Sequence, residues 1–287
     1  MVASLEPSAT SESGEPVLSY GEDFVFTLFT SDPELARRAD RAGINRIGLD
    51  LEKLGKDYRQ GHTPGWISDH QVADLAGIRQ ALNHGQLFAR TNGMHPGSKD
   101  EIELLLATGV QVLMLPFFRT CSEVEDFIRL IDGRAQVSLL LETASAMARV
   151  HEIVKIEGID EIHVGLNDLH LDLKLHNHFE VLVSGIMDML SDTIRGAGIA
   201  FGFGGVARRD DKKLPIDPNL IYSQYPRLGA DRALITRAYV GPDSSRLDLN
   251  AELQITRQAL DEWAWRPVRD LEAARDELRR SVSGWQV

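Results

Sequence analysis

The sequence predicts an α/β protein built as a (β/α)8 TIM barrel with extra C-terminal helices. Three observations carry that expectation. Short apolar, β-prone runs alternate with helical segments eight times between Phe24 and Thr236. The runs are nearly continuous in apolar residues, as parallel strands buried on both faces are. No Gly-rich phosphate loop follows the first run, which weakens the rival, a doubly wound open sheet. A chain of 287 residues is long enough for one such barrel, and 43% hydrophobic residues suffice for its core.

Phe24 to Phe29 is the first strand, and Asp32-Pro33-Glu34 caps a helix that ends near Gly43. Arg46 to Asp50 is the second, followed by a loop through Gly61 to Gly65 and a helix opening at Ser68-Asp69. Gln86 to Arg90 is the third strand, with its helix capped in Ser98 to Glu101. Val110 to Pro116 is the fourth, and its helix starts near Ser122. The fifth runs from Val137 to Leu141 and stops at Glu142; the sixth runs from Ile162 to Asn167, with Asp168 just beyond. One long helix over 179–195 precedes the seventh, Ile199 to Gly205, and Arg232 to Thr236 is the eighth. Lys212 to Pro226, with three prolines, reads as a long loop with room for a short helix. Residues 1–20 are polar and read as a flexible tail, 21–245 as the barrel, and 246–287 as amphipathic helices broken at Pro267. A barrel is closed before those helices begin, so their apolar face is expected to meet a neighbouring subunit.

Net charge of −12 argues against nucleic-acid or anionic-membrane partners, which need basic patches. No apolar stretch spans a bilayer, no signal peptide is predicted, and a cytoplasmic location is the default. The single cysteine, Cys121, fits a reducing compartment and is read as packing at a helix start.

In a βα-repeating protein the carboxyl ends of the strands house the chemistry. Those ends supply Asp50-Leu51-Glu52-Lys53, Arg90-Thr91-Asn92, Pro116-Phe117-Phe118, Glu142, Asn167-Asp168, Gly204-Gly205 and Thr236-Arg237. Five of these contain ionisable groups at one rim, and that bias itself points to a site. Glu142 and Asp168 are the metal candidates, and hard oxygen ligands favour Mg²⁺ or Mn²⁺. Arg90 is placed to hold a carboxylate or an enolate oxygen, or to pair with Asp50 or Glu52. Gly204 and Gly205 either let backbone approach a ligand or form a tight turn; with Phe117 they are read as lining the substrate. His163, His170, His176 and His178 lack a zinc-ligand spacing, although His170 lies close enough to Asp168 to reach the pocket.

These residues resemble the HpcH/HpaI aldolase and citrate lyase β-subunit superfamily over roughly residues 24–240. Leu141-Glu142-Thr143 is similar to its "IET" segment, and Gly158-Ile159-Asp160 through Gly165-Leu166-Asn167-Asp168-Leu169 to "GvD…iGpnDLs". Asp50-Leu51-Glu52 is similar to the "DLE" of the citrate-lyase-like branch and Ala89-Arg90-Thr91-Asn92 to its "vRin". The resemblance implies a barrel of the pyruvate/phosphoenolpyruvate type, a trimer or hexamer, and a divalent metal on Glu142 and Asp168 that chelates a 2-oxo acid. The chain departs from the aldolases' "DxEH" at Lys53, has Leu140 where they have a polar residue, and has His170 where the family usually has Ser.

The expected activity is therefore a metal-dependent carbon–carbon lyase acting through a pyruvate-like enolate, with Arg90, Glu52 and Asp50 as its catalytic residues. One alternative is an acyl-CoA lyase or thioester hydrolase, using Arg208, Arg209, Lys212 and Lys213 for nucleotide phosphates. Another is a catalytically reduced barrel serving as a binding subunit. Glu52, Lys53, His62, His95 and a metal-bound water are the candidate bases, Glu52 being preferred for its position at a strand end.

Overall fold

A computed structural model describes residues 19–55 and 68–285. Eight strands close into one parallel barrel in sequence order. They are β1 (Val25–Phe29), β2 (Arg46–Asp50), β3 (Gln86–Arg90), β4 (Val112–Leu115), β5 (Gln136–Leu141), β6 (Glu161–Val164), β7 (Ala200–Val206) and β8 (Arg232–Ile235). β8 pairs with β1, Val25 lying opposite Arg232, so the sheet has no free edge. The predicted tail residues up to 18, the Gly61–Gly65 loop and His62 lie outside the described residues.

Side chains alternate across the sheet, and the two faces bury different cores. The outward face carries residues such as Phe26, Leu28, Ile47, Leu49 and Leu87, which pack beneath the helices. The inward face carries a separate cluster of Phe88, Val112, Met114 and Leu140, with Phe29 against it. The backbone of β3 leaves no room beside Gly48, its partner in register, where a Cβ would stand 1.6 Å from the Phe88 carbonyl oxygen.

The amino-terminal end of the barrel is closed by charge. Arg46 Nη1 donates to Glu161 Oε2 at 2.6 Å, Arg232 donates to the same oxygen, and Gln86 and Gln136 accept from Arg46 at 3.2 Å each. Burial works against the Glu161 carboxylate, yet Arg46 and Arg232 hold its pKa below the ordinary range. Ionisable groups thus occupy both ends of the barrel. Charge at the strand endings is matched by Arg46, Glu161 and Arg232 at strand beginnings, where it serves to close the barrel.

Four local expectations are corrected. β6 ends at Val164, so Asn167 and Asp168 lie in the helix Leu166–Asp172, Asp168 in its first turn. The helix over 179–195 is two, Phe179–Val183 and Gly185–Gly196, because Ser184 is extended (ψ 162°) and its hydroxyl donates to the Val181 carbonyl at 2.7 Å. The Lys212–Pro226 segment, read as a long loop with room for one short helix, holds that helix as Pro218–Tyr222, capped by Asp217, and also the start of a second, Gln224–Leu228. The helix expected from Ser68 starts later, as a 3₁₀ turn Val72–Asp74 that runs into Leu75–Ala81.

The C-terminal helices Leu249–Ala264 and Val268–Ser283 are divided at Pro267 as expected. Of the apolar residues that the sequence set on the face of these helices, Leu249, Leu253 and Leu260 are buried within this chain, and Leu247 and Trp263 are partly buried against the same core. Arg257 ties the first of them to the start of the barrel, donating to the carbonyls of Gly21, Glu22, Phe24 and Gly43. Gly21, in the short helix Tyr20–Asp23, lies so close that a Cβ would stand 2.2 Å from the Arg257 carbonyl oxygen. No helix among the described residues is long and apolar enough to cross a membrane.

Candidate active site

At the opposite end, register sets the first pair. Asp50 and Arg90 are partners across β2 and β3, both closing their strands on the inward face. The pair is bidentate: Arg90 Nε donates to Asp50 Oδ1 at 2.8 Å and Nη2 to Oδ2 at 2.6 Å. Glu52 Oε2 stands 3.6 Å from the same Nε. Burial opposes the guanidinium charge, but Asp50, Glu52 and Glu142 raise its pKa above the ordinary value, which fixes a cation at the mouth and places Glu142 within its field. The Phe29 ring lies 5.4 Å from the guanidinium carbon.

Ser68, expected to open a helix, and His70, for which the sequence carried no expectation, instead hold Asp50. Ser68 Oγ donates to Oδ2 at 3.3 Å, and the Asp50 backbone N–H donates to His70 Nδ1 at 3.0 Å. Their only signal in the sequence is a Ser-Asp-His run ahead of a helix, which reads equally well as a cap.

Glu142 follows β5 and is 3% exposed; Asp168 is 7% exposed in the first turn of its helix. The Phe117 backbone N–H donates to Glu142 Oε1 at 3.0 Å. Phe117 is left-handed (φ 52°), an uncommon conformation for a bulky residue that aims its N–H at the carboxylate. Thr143 Oγ1 donates to the Phe118 carbonyl at 2.8 Å and fastens the same loop. Gly165, after β6, lies against Glu142: a Cβ there would stand 2.8 Å from Glu142 Oε2, so a larger residue would push the carboxylate aside. Two buried carboxylates, one oriented by a backbone N–H and pressed against a glycine, suit a hard cation that keeps waters and takes further ligands from substrate. Among the described residues no group of three or more His, Cys, Asp or Glu is arranged to hold a metal ion, so further ligands at Glu142 and Asp168 would have to be water or substrate.

The remaining candidates separate by geometry. His163 projects into the barrel, its Nε2 bonded to the Gly204 carbonyl at 2.9 Å, and burial drives its pKa down to about 4. His170 packs edge-on against His178, whose ring meets Trp285 in turn, so that cluster joins helices to the C-terminal segment. His95 is engaged on both nitrogens, Nδ1 accepting from Gly97 N–H at 3.1 Å and Nε2 facing Glu101 at 2.9 Å. Glu101 also receives Asn92, whose side-chain oxygen accepts from the N–H groups of Lys53 and Leu54 at 2.9 Å. His95 therefore braces the loop after β2, while the Lys53 side chain is exposed.

Gly204 is left-handed (φ 50°), and a Cβ on Gly205 would stand 2.7 Å from Thr236 Cγ2. Both glycines answer to neighbours in the barrel, where the β7–β8 register shifts between Gly202 and Gly205. In the proposed nucleotide groove, Arg209 is engaged by Glu262 through a bidentate pair and by Asn219. Cys121 begins its helix as expected, and burial with nearby Glu152 and Glu125 raises its thiol pKa, which disfavours a thiolate.

Comparison with known proteins finds the same fold in solved structures. A solved HpcH/HpaI aldolase/citrate lyase family protein from Burkholderia cenocepacia J2315 superposes with a TM-score of 0.59 at 18% identity, over 84% of this chain and 95% of that one. An HpcH/HpaI aldolase from Desulfitobacterium hafniense DCB-2 gives 0.58 at 15% identity, over 75% and 86%. The citrate synthase SbnG gives 0.56 at 17% identity, over 83% and 94%. At these identities the likeness establishes the fold. No curated protein matches the chain. The model of the family described as HpcH/HpaI aldolase/citrate lyase matches residues 68–213, just over half of the chain, taking in His70, Arg90, Phe117, Glu142 and Asp168. The chain belongs to the HpcH/HpaI aldolase/citrate lyase family, a family of lyase-type enzymes.

Proposed function

We propose that the chain makes or breaks a carbon–carbon bond in aldolase fashion, taking a 2-oxo acid such as pyruvate through its enolate, with Mg²⁺ or Mn²⁺ on Glu142 and Asp168. The observation that carries this reading is the Arg90 cation held at the mouth of the barrel with buried Glu142 in its field, and a second buried carboxylate, Asp168, in the helix that follows β6. Asp50 takes Nε and Nη2 of Arg90, which leaves the Nη1 edge of the guanidinium for a substrate oxygen. As the enolate forms, a proton leaves the methyl carbon and the electron pair moves onto the carbonyl oxygen, where Arg90 meets the growing charge. Glu52, buried below Arg90, is the carboxylate placed to take that proton and return it. Asp50 positions Arg90 and keeps it charged. A divalent cation on the carboxylate pair would chelate the 2-oxo acid and polarise its carbonyl as a Lewis acid.

The test follows exchange of the pyruvate methyl protons for deuterium by NMR, with Mg²⁺ or Mn²⁺ and then with chelator. The expected result is metal-dependent exchange that falls at least about a hundredfold in Arg90→Ala, the scale of losing one charged donor to an oxyanion. Exchange unaffected by chelator, or retained in Arg90→Ala, contradicts the reading.

A further inference from the structure

We propose that the arc of the mouth above β8, β1 and β2 is the subsite for the second, carbonyl-bearing fragment, with His70 presenting its Nε2–H to that carbonyl oxygen and Arg237 attracting an anionic group beside it. The subsite rests on the enolate reading above; what it adds is the two residues, His70 and Arg237, that meet the second fragment.

The tautomer of His70 follows from its contact. Nδ1 accepts the Asp50 backbone N–H at 3.0 Å, and a nitrogen that accepts carries no proton. The hydrogen of the neutral ring is therefore on Nε2. Turning the ring over would place a carbon against that N–H and leave the backbone donor without an acceptor. The ring is half-buried, and its Nε2 meets no acceptor among the described residues. Burial lowers its pKa; Asp50, Asp74 and Asp69 oppose the change and Arg237 assists it, leaving the value below the ordinary one. The ring is thus neutral at pH 7. Accepting a proton on Nδ1 would break the Asp50 contact, and losing one from Nε2 would leave an imidazolate. His70 therefore donates a hydrogen bond without transferring its proton, as charge builds on the acceptor oxygen during bond formation.

Ring closure gives the location. Asp50 ends β2 and Arg237 follows β8, with β1 alone between them in the closed order. His70 touches Asp50 at the end of β2, and Arg237, after β8, is among the charges that act on it, so we place the ring on the β8–β1–β2 side of the mouth, away from β5 and Glu142. The donor fragment at Arg90, Glu142 and Asp168 then occupies one arc and the acceptor the other. Arg237 is exposed and has no ion-pair partner among the described residues, so its charge faces an incoming anion. The other described histidines near the mouth do not compete: His95 is engaged on both nitrogens and His163 lies inside the barrel.

The probe is glyoxylate, a small aldehyde that carries a carboxylate, condensed with pyruvate in the presence of Mg²⁺. His70→Asn keeps an acceptor for the Asp50 N–H but removes the Nε2 donor, whereas His70→Gln keeps a donor near Nε2 and gives up the acceptor. The ratio of condensation rate to methyl-exchange rate falls roughly 10- to 100-fold in H70N and recovers in part in H70Q. A bracing role predicts the reverse order, and that result overturns the proposal. Equal loss of exchange and condensation in H70N would make His70 a base and also overturns it. Arg237→Gln raises the KM for glyoxylate about tenfold with little change in kcat; an unchanged KM removes Arg237 from the subsite. ¹⁵N NMR of the native enzyme at pH 7 gives a second readout that needs no turnover. A protonated Nε2 and bare Nδ1 on His70, with the Nε2 signal shifting on glyoxylate addition, supports the subsite; an imidazolium, or no shift, overturns it. If native enzyme shows no methyl exchange, the enolate reading fails, while the ¹⁵N result still decides the subsite.

Discussion

Replacing Asp50 by Asn tests the electrostatic frame of the site directly. The variant keeps the shape of the side chain and removes the charge that receives two Arg90 hydrogen bonds of 2.8 and 2.6 Å. Breaking a buried pair by neutralising one member costs about 3–5 kcal/mol, because the other charge remains buried. Arg90 still has Glu52 at 3.6 Å and the field of Glu142, so the cost belongs at the low end, about 3 kcal/mol. At roughly 2–4 °C per kcal/mol for large domains, the unfolding midpoint drops by about 6–12 °C. The double variant Asp50→Asn with Arg90→Met removes both charges, and such exchanges are often neutral or stabilising. It is therefore expected to recover most of the lost Tm while showing no methyl exchange. Differential scanning calorimetry at pH 7 on native, single and double variants completes the cycle. A single variant within about 1 °C of native, or a double variant whose losses simply add, refutes the claim that this pair is a buried, mutually dependent couple.

Two further outcomes follow from contacts elsewhere in the barrel. Gly165→Ala places a Cβ 2.8 Å from Glu142 Oε2 at a backbone angle any residue tolerates (φ −82°), so the strain falls on the carboxylate. Mg²⁺ affinity by titration calorimetry is expected to fall about 10- to 100-fold with the fold intact by circular dichroism, and undiminished affinity would remove Glu142 from the metal site. His163, held near a pKa of about 4, is neutral in the folded chain, whereas the unfolded chain takes up a proton below about 6.5. Its contribution is present above the unfolded value and is lost as pH falls toward the folded one, about 2 kcal/mol between pH 7 and 5. His163→Gln, which keeps a donor for the Gly204 carbonyl, should flatten that part of the Tm–pH profile; an unchanged slope contradicts the assignment.

The strands were legible because a barrel strand buried on both faces is a short apolar run bounded by polar residues, as in Arg46–Asp50 and Val112–Leu115. The site's charged pairing was legible for a related reason. A carboxylate or guanidinium that ends such a run lies at the mouth, and Asp50 and Arg90 fall in register there. The limits of β6 were not legible, since Val164-Gly165-Leu166 continues the apolar pattern while the backbone passes from strand to helix. The break at Ser184 was hidden in the same way, by apolar periodicity that runs through it. The network of Arg46, Glu161 and Arg232 joins residues up to 186 positions apart, and only closure of the ring brings them together. His70 was missed because its partner is a backbone N–H, which no side-chain pattern reports.

The central claim is that Glu142 and Asp168 hold one divalent cation at the place where a 2-oxo acid binds. Mn²⁺ binding followed by electron paramagnetic resonance and water proton relaxation tests it most directly, in native enzyme and in variants carrying Glu142→Gln and Asp168→Asn. The account predicts one Mn²⁺ per chain, a fall in water relaxation when pyruvate displaces bound waters, and loss of the ion in the double variant. Full Mn²⁺ binding in that variant, or relaxation indifferent to pyruvate, contradicts it.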